Sequence, residues 1–350
     1  MHHSIFIFIW LFSFHVLFCQ KKQTYKIHTV AFYNLENLFD TINNPNSNDE
    51  ASPILEIKNN RSDIYSKKIK NLAKVISEIG RDKTNAPPTL IGVAEIENKD
   101  VLEDLIQSPV LKQNNYGIIH YNSPDLRGID VALLYNKDKF IPINQLSYEL
   151  KLWSDKGYRI HTRDLLVVSG YLENELIHLL INHWPSRRGG EKKSRPFREK
   201  AAYLNKKICD SILKNEPKSK IILMGDLNDN PTNSSLKNVL KTEINQKKLN
   251  DTTLFNPYES LYKNGYSTLG YRDNIYLFDQ IIVNGNFISK NYESLSFYKA
   301  HIFNPEYLTV QTGKYKGYPF RSFSYGSFTN GYSDHYPVYI YLIKKLTVKD

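Results

Sequence analysis

Apolar positions in this chain fall into short runs separated by polar stretches, and the runs follow two periods. Residues 27–33, 89–94, 176–181, 220–224, 278–283 and 336–343 are apolar, β-branched or aromatic almost throughout, the pattern of strands buried on both faces. Residues 127–135 read as a further strand entered through a charged turn, and 165–171 pairs with 176–181 around the turn Glu173-Asn174-Glu175. The second period is helical. Residues 65–79 place Ile69, Leu72, Val75, Ile76 and Ile79 on one face with lysines opposite. Residues 101–106 and 234–240 read as short helices, and 192–206 opens a longer one running towards Leu213. Residues 41–53, rich in Asn, Ser, Asp and Pro, read as an exposed loop, and 292–332, crowded with Tyr, Phe, Gly and Ser, as a long ordered loop with aromatic surface. Alternating strands and helices early, with hairpin-like pairs in the middle, predict two β-sheets packed face to face with helices outside.

Composition changes this picture in three places. The chain has 350 residues, 41% of them hydrophobic, and no repeat or low-complexity linker divides it, so residues 21–350 are expected to form one large domain and to be a monomer. Lys and Arg number 46 against 36 Asp and Glu, and the net charge of +10 favours a polyanionic partner, although charge of this size also serves solubility. Ile5 to Phe18 is almost wholly apolar, as long as a signal h-region and short of the ~20 residues of a spanning helix, so residues 1–20 read as a signal peptide for export to the periplasm or medium. Met1-His2-His3 offers no basic residue, and Cys19 is a candidate lipid-bearing cysteine with an ill-suited Phe18 before it. With only Cys209 beyond Cys19, the mature chain has no intrachain disulfide to rely on.

The chemistry-bearing residues sit where apolar runs end. Asp226 and Asn228, in Gly225-Asp226-Leu227-Asn228, lie two residues apart, on one side of an extended segment. A carboxylate beside an amide oxygen is a hard-oxygen pair suited to Mg²⁺ or Ca²⁺, and to a phosphate ester or its attacking water. Turn residues of this kind are common singly. Here Asn34, Glu95, His183, Asp279 and Asp334-His335 repeat the arrangement at other strand ends, and each ionised group at a sheet end must be paired, solvated or metal-bound.

In this order, the Asn34, Glu95, Asn182-His183, Gly225-Asp226-Leu227-Asn228, Asp279 and Ser333-Asp334-His335 positions resemble the endonuclease/exonuclease/phosphatase superfamily, from residue 26 to 342. That group includes pancreatic-type deoxyribonuclease, exonuclease III-type enzymes, bacterial sphingomyelinases and inositol-polyphosphate 5-phosphatases. The resemblance implies a four-layer α/β sandwich with the site at one edge of two mixed sheets. It also implies phosphoester hydrolysis by in-line attack of water, assisted by Mg²⁺ or Mn²⁺, with Ca²⁺ as a further option. Glu95 is then the principal metal ligand, with Asn34 and Asp334 completing the shell. His335 is the expected general base or water-orienting group, held by Asp279; Asp226 competes for the role of positioning the nucleophile. Asn228 donates to the phosphate, and His183 bonds or protonates a phosphate or leaving-group oxygen. Asp130 is expected to orient His183, and Arg127, Arg187 and Arg188 to clamp phosphate.

The superfamily does not fix the substrate. The basic run Arg187, Arg188, Lys192, Lys193, Arg195, Arg198, Lys200 follows His183 directly, and aromatic loops can stack bases, so an endonuclease acting on DNA or RNA is the leading expectation. Alternatives are a sphingomyelinase- or phosphatase-like enzyme acting on phospholipid headgroups or small phosphodiesters, and an exported polyanion-binding module without activity.

Overall fold

The computed structural model describes residues 23–346; the export segment and Cys19 lie outside the described residues. Twelve strands form two six-stranded sheets. In chain order they are β1 (Tyr25–Leu38), β2 (Leu90–Ile96), β3 (Tyr116–His120), β4 (Asp130–Asn136), β5 (Phe140–Tyr148), β6 (Leu165–Leu172), β7 (Glu175–His183), β8 (Lys220–Asp226), β9 (Leu254–Phe255), β10 (Asp279–Asn284), β11 (Ser296–Ile302) and β12 (Val338–Lys345). The first sheet has the order β11-β12-β1-β2-β4-β3 and the second β9-β10-β8-β7-β6-β5. Both are mixed, because β1 and β2 run parallel, as do β7 and β8, while their other neighbours are antiparallel.

Alternation along each central strand builds the layers. In β8, Ile222 and Met224 enter the core between the sheets, whereas Ile221 and Leu223 face the helix α3 (Glu191–Asn215). In β1, Val30 and Phe32 point inward, while Ala31 and Tyr33 pack with α1 (Arg61–Glu78) and α2 (Lys99–Ile106). The result is helix, sheet, sheet, helix. Asn98 caps α2 by accepting from the Val101 amide at 3.0 Å, which satisfies one of the helix's free donors.

Several local expectations differ. Gly225, which at the end of the apolar run reads as freeing the backbone to turn, stays inside β8, and the turn comes later, at Asn228 with φ of 49°. Gly225 is needed for close approach instead: a Cβ there would lie 2.3 Å from the Asn182 carbonyl oxygen of the neighbouring strand. Within the stretch read as loop, residues 296–302 form β11, an edge strand whose half-exposed residues carry no apolar run. β5 escaped notice for the same reason. Residues 235–239 make a π-helical turn rather than an α-helix.

Candidate active site

Register brings the polar strand ends together. Asp226 at the end of β8 lies opposite His183 at the end of β7 and opposite Asp279 at the start of β10. On the facing sheet, Asn34 pairs with Ala94, one residue before Glu95. Both β1 and β2 are irregular here. Glu95 has φ of 59°, and Glu36 and Asn37 have φ of 48° and 51°, so the backbone departs from the sheet to re-aim these side chains. Ser333 explains the first residue of its motif: its hydroxyl donates to the Asn34 carbonyl at 2.7 Å and accepts from the His335 amide at 3.1 Å, tying the last loop to the end of β1.

Two compact groups result, Glu95 with His183 and Asp226, and Asp226 with Asp279 and His335; within each, potential ligand atoms lie within 4.8 Å of one another. His335 Nδ1 donates to Asp279 Oδ2 at 2.7 Å, and His335 Nε2 lies 4.0 Å from Asp226 Oδ2. Burial opposes a charge on His335, but Asp279 and Asp226 outweigh it and hold its pKa well above the ordinary value. The two acids thus favour the charged form of the His335 ring. Asp226 is pushed up to about 7, first by burial and then by Asp279, against the pull of His335. Asn228 fixes one face of Asp226 by donating its amide N–H to Oδ1 at 3.0 Å. His183, with Nε2 at 3.5 Å from Asp226 and 3.9 Å from Glu95, is driven well below its ordinary pKa by burial and by the Arg163 guanidinium, so its ring is neutral.

Other expected residues take different partners. Asp130 does not orient His183: it accepts from His120 Nε2 on the neighbouring strand at 2.9 Å and from the Ser123 amide at 2.8 Å, which take up its carboxylate. Asn34 accepts from the Glu36 amide at 2.9 Å and donates its NH₂ to Glu95 and Asp226, both at 3.2 Å, so it braces the two carboxylates. Asn228 gives one amide hydrogen to the Trp184 carbonyl at 3.0 Å, leaving the other for a ligand. Trp184 is buried beneath the His183 strand end. Asp334 lies beside the two groups and accepts from Arg321 Nη2 at 3.3 Å.

The arginines diverge as well. Arg127 pairs with Asp125 at 3.2 Å outside the cleft. Arg187 lines the cleft but is held by the Asn228 carbonyl at 2.9 Å and Asp229 at 3.0 Å, with the Phe278 ring 4.6 Å from its guanidinium carbon. Arg188 is exposed on the cleft rim. Sequence reasoning missed Arg321, a lone charge inside an aromatic stretch, and Lys68, whose buried ammonium donates to the Glu36 carbonyl at 2.8 Å.

Next to these groups, and reaching them through Asn228 and Asp334, lies a cleft of about 1630 Å³ whose walls include Tyr271, Tyr276, Phe278, Tyr315, Tyr318 and Tyr325. The donor set fits a hard divalent cation. Glu95 keeps 19% of its side chain exposed, and beside it lie the buried Asp226 and an Asp279 whose Oδ1 has no hydrogen-bond partner, oxygens that a cation would satisfy.

The comparisons agree with this architecture. A family model described as "Endonuclease/Exonuclease/phosphatase family" matches residues 29–344. No curated protein matches the sequence. A structure of D. rerio TDP2 complexed with single strand DNA product is 12% identical over 90% of this chain and 98% of that one, with a TM-score of 0.53. An endonuclease/exonuclease/phosphatase family protein from Bacteroides thetaiotaomicron is 18% identical over 93% of this chain and all 100% of its own, at 0.54. A mannosyl-6-phosphatase from the same species is 18% identical over 91% and 100%, at 0.52. At these identities the likeness to solved structures is one of fold, whereas the family match spans nearly the whole described chain. Both sheets, the rim where their strand ends meet and the family model agree: the chain belongs to the endonuclease/exonuclease/phosphatase family of phosphoesterases.

Proposed function

We propose that this protein is an exported, Mg²⁺- or Mn²⁺-dependent phosphodiesterase acting on single-stranded or frayed nucleic acid. The observation that carries the catalytic half is the meeting of Glu95, His183, Asp226, Asp279 and His335 at one rim. Glu95 would hold the cation, together with Asp334. When bound, the cation polarises a phosphoryl oxygen and offsets charge on the leaving group. Asp226 takes the proton of the attacking water, and its pKa of about 7 suits a base working near neutrality. The His335 imidazolium, kept charged and oriented by Asp279, donates to a phosphoryl oxygen. Neutral His183 donates to a second oxygen or to the departing one, and Asn228 offers its remaining amide hydrogen.

The aromatic walls support a nucleic-acid substrate, because every base has a face that can stack on them. Export remains supported by the apolar segment Ile5 to Phe18 alone. A second reading, hydrolysis of a small sugar phosphate, is favoured by the locking of Arg187 and Arg198 onto Asp229, which removes charge from the surface a long polyanion would touch. A panel of single-stranded DNA, duplex DNA, RNA, sphingomyelin and sugar phosphates, each with Mg²⁺, Mn²⁺ or EDTA, tests both. Cleavage of single strands that EDTA abolishes is the expected result. Turnover confined to sugar phosphates would select the second reading, and no turnover on any ester with either metal would leave a binding module.

A further inference from the structure

We propose that Arg321 is a substrate-binding residue that grips a phosphoryl oxygen from the cleft wall beside Asp334; this rests on the phosphoesterase reading above. Its Nε donates to Glu36 Oε1 at 3.2 Å and its Nη2 to Asp334 Oδ2 at 3.3 Å. Despite both bonds, 50% of the side chain is exposed and lines the cleft. Nη1 makes no hydrogen bond to protein among the described residues, so one edge of the guanidinium is fixed and the other is open. An arginine needed only to neutralise two acids would have no reason to keep that edge in solvent.

The residue is also set in place before any ligand arrives. Glu36 is 2% exposed and takes further hydrogen bonds from the Ser322 and Phe323 amides. Lys68 links the same point by donating to the Ser322 hydroxyl at 2.7 Å. Behind Arg321, its carbonyl accepts from the Thr329 hydroxyl, and a Cβ on Gly331 would come within 2.1 Å of that oxygen. Asn71 on α1 holds the Asn330 and Gly331 carbonyls, each at 3.0 Å. A fork held this way loses little freedom on meeting a phosphate, which is where such a group gains affinity.

Charge and position single it out among the cleft's cations. Arg187 is committed to Asp229 and to the Asn228 carbonyl. Arg188, Arg272 and Lys314 line the cleft without an acidic partner among the described residues. Arg321 alone spans both sides of the site, since Glu36 follows Asn34 by two positions and Asp334 adjoins His335. A phosphate approaching Glu95, Asp226 and Asp334 meets repulsion, and His335 relieves it on one side only. Arg321 supplies the other, with planar donors matched to phosphoryl oxygens.

The test compares wild type with Arg321→Gln and Arg321→Lys. Inorganic phosphate is titrated by calorimetry, and kcat and KM are measured on bis(p-nitrophenyl) phosphate with Mg²⁺. Arg321→Gln should weaken phosphate binding and raise KM by about 10–100-fold with little change in Tm, and Arg321→Lys should restore only part, because it keeps the charge and loses the fork. Unchanged phosphate affinity in Arg321→Gln, with or without a lower Tm, would reduce the residue to a structural pair and overturn the proposal. So would a wild type that binds no phosphate. A wild type that binds phosphate through Arg321 but cleaves no ester would sink the catalytic reading and leave this one standing.

Discussion

Asp226, the last residue of β8, and Asp229, three residues on in the loop that follows, have opposite fates. Asp229, 1% exposed, is bracketed by Arg187 at 3.0 Å and by the fully buried Arg198 at 2.7 Å, and it also accepts from the Ser235 hydroxyl at 2.7 Å. Its charge is spent on holding α3 to the loop. Asp226 faces another acid, Asp279, and its nearest cation, His335, is engaged by that same acid. Its proton is held to about 7. The same residue type, three positions apart, is structural where cations close round it and chemical where they do not. The lesson extends to the whole basic run after His183. Charge counted along a chain is not charge offered to a ligand.

That contrast can be broken at several points. The largest effect is expected at the unpaired acid: Asp226→Asn and His335→Ala should each lower turnover by ~10²–10⁴-fold while circular dichroism shows a native fold. Near wild-type turnover in either would remove the chemical half of the comparison. At the paired acid the loss should appear in stability. Arg198→Ala strands Asp229 without its closest partner in the core and should cost about 3–5 kcal/mol in urea unfolding. A cost under about 1 kcal/mol would mean that water or Arg187 replaces it.

A titration separates the two acids without mutating either. The folded pKa of Asp226 is raised from 3.8 to about 7, so the folded state holds this proton more tightly than the unfolded chain does. Its contribution to stability is complete below pH 3.8 and is lost as pH rises through about 7. Glu36, raised from 4.5 to about 7 by burial and by Asp334, acts in the same direction. In EDTA the Tm should therefore decline between pH 5 and 8, and Asp226→Asn should flatten that decline; an identical slope in the variant would show that Asp226 does not carry it. The smallest effect concerns free charge. Arg188→Ala, on the exposed rim, should reduce the salt slope of single-stranded DNA binding by ~1, whereas Arg187→Ala should mainly lower Tm. A reversal between the two would place Arg187 in the substrate path.

Much of the architecture was legible because it is written in local periodicity. The strands at the centre of each sheet are apolar on both faces, as β8 shows, and α1 repeats its apolar face at helical spacing. Edge strands such as β5 and β11 have one open side and half-exposed residues, so they left no such pattern. The site residues were legible for a related reason: a carboxylate, amide or imidazole at the end of an apolar run has few bland explanations when the arrangement recurs. Their partners were not legible. Asp130 turns to His120, Asn34 braces Glu95 and Asp226, and Glu36 meets Arg321 across 285 positions of chain.

The sequence by itself determined which segments are strands and helices and which polar residues end them, because burial on one or two faces imposes a period on the chain. Only the tertiary structure decided which of those residues are neutralised, which keep a proton near neutrality and which arginine faces the cleft. Hydrogen bonds and ion pairs act over a few ångströms, and the groups they join here come from opposite sheets and from loops hundreds of residues apart.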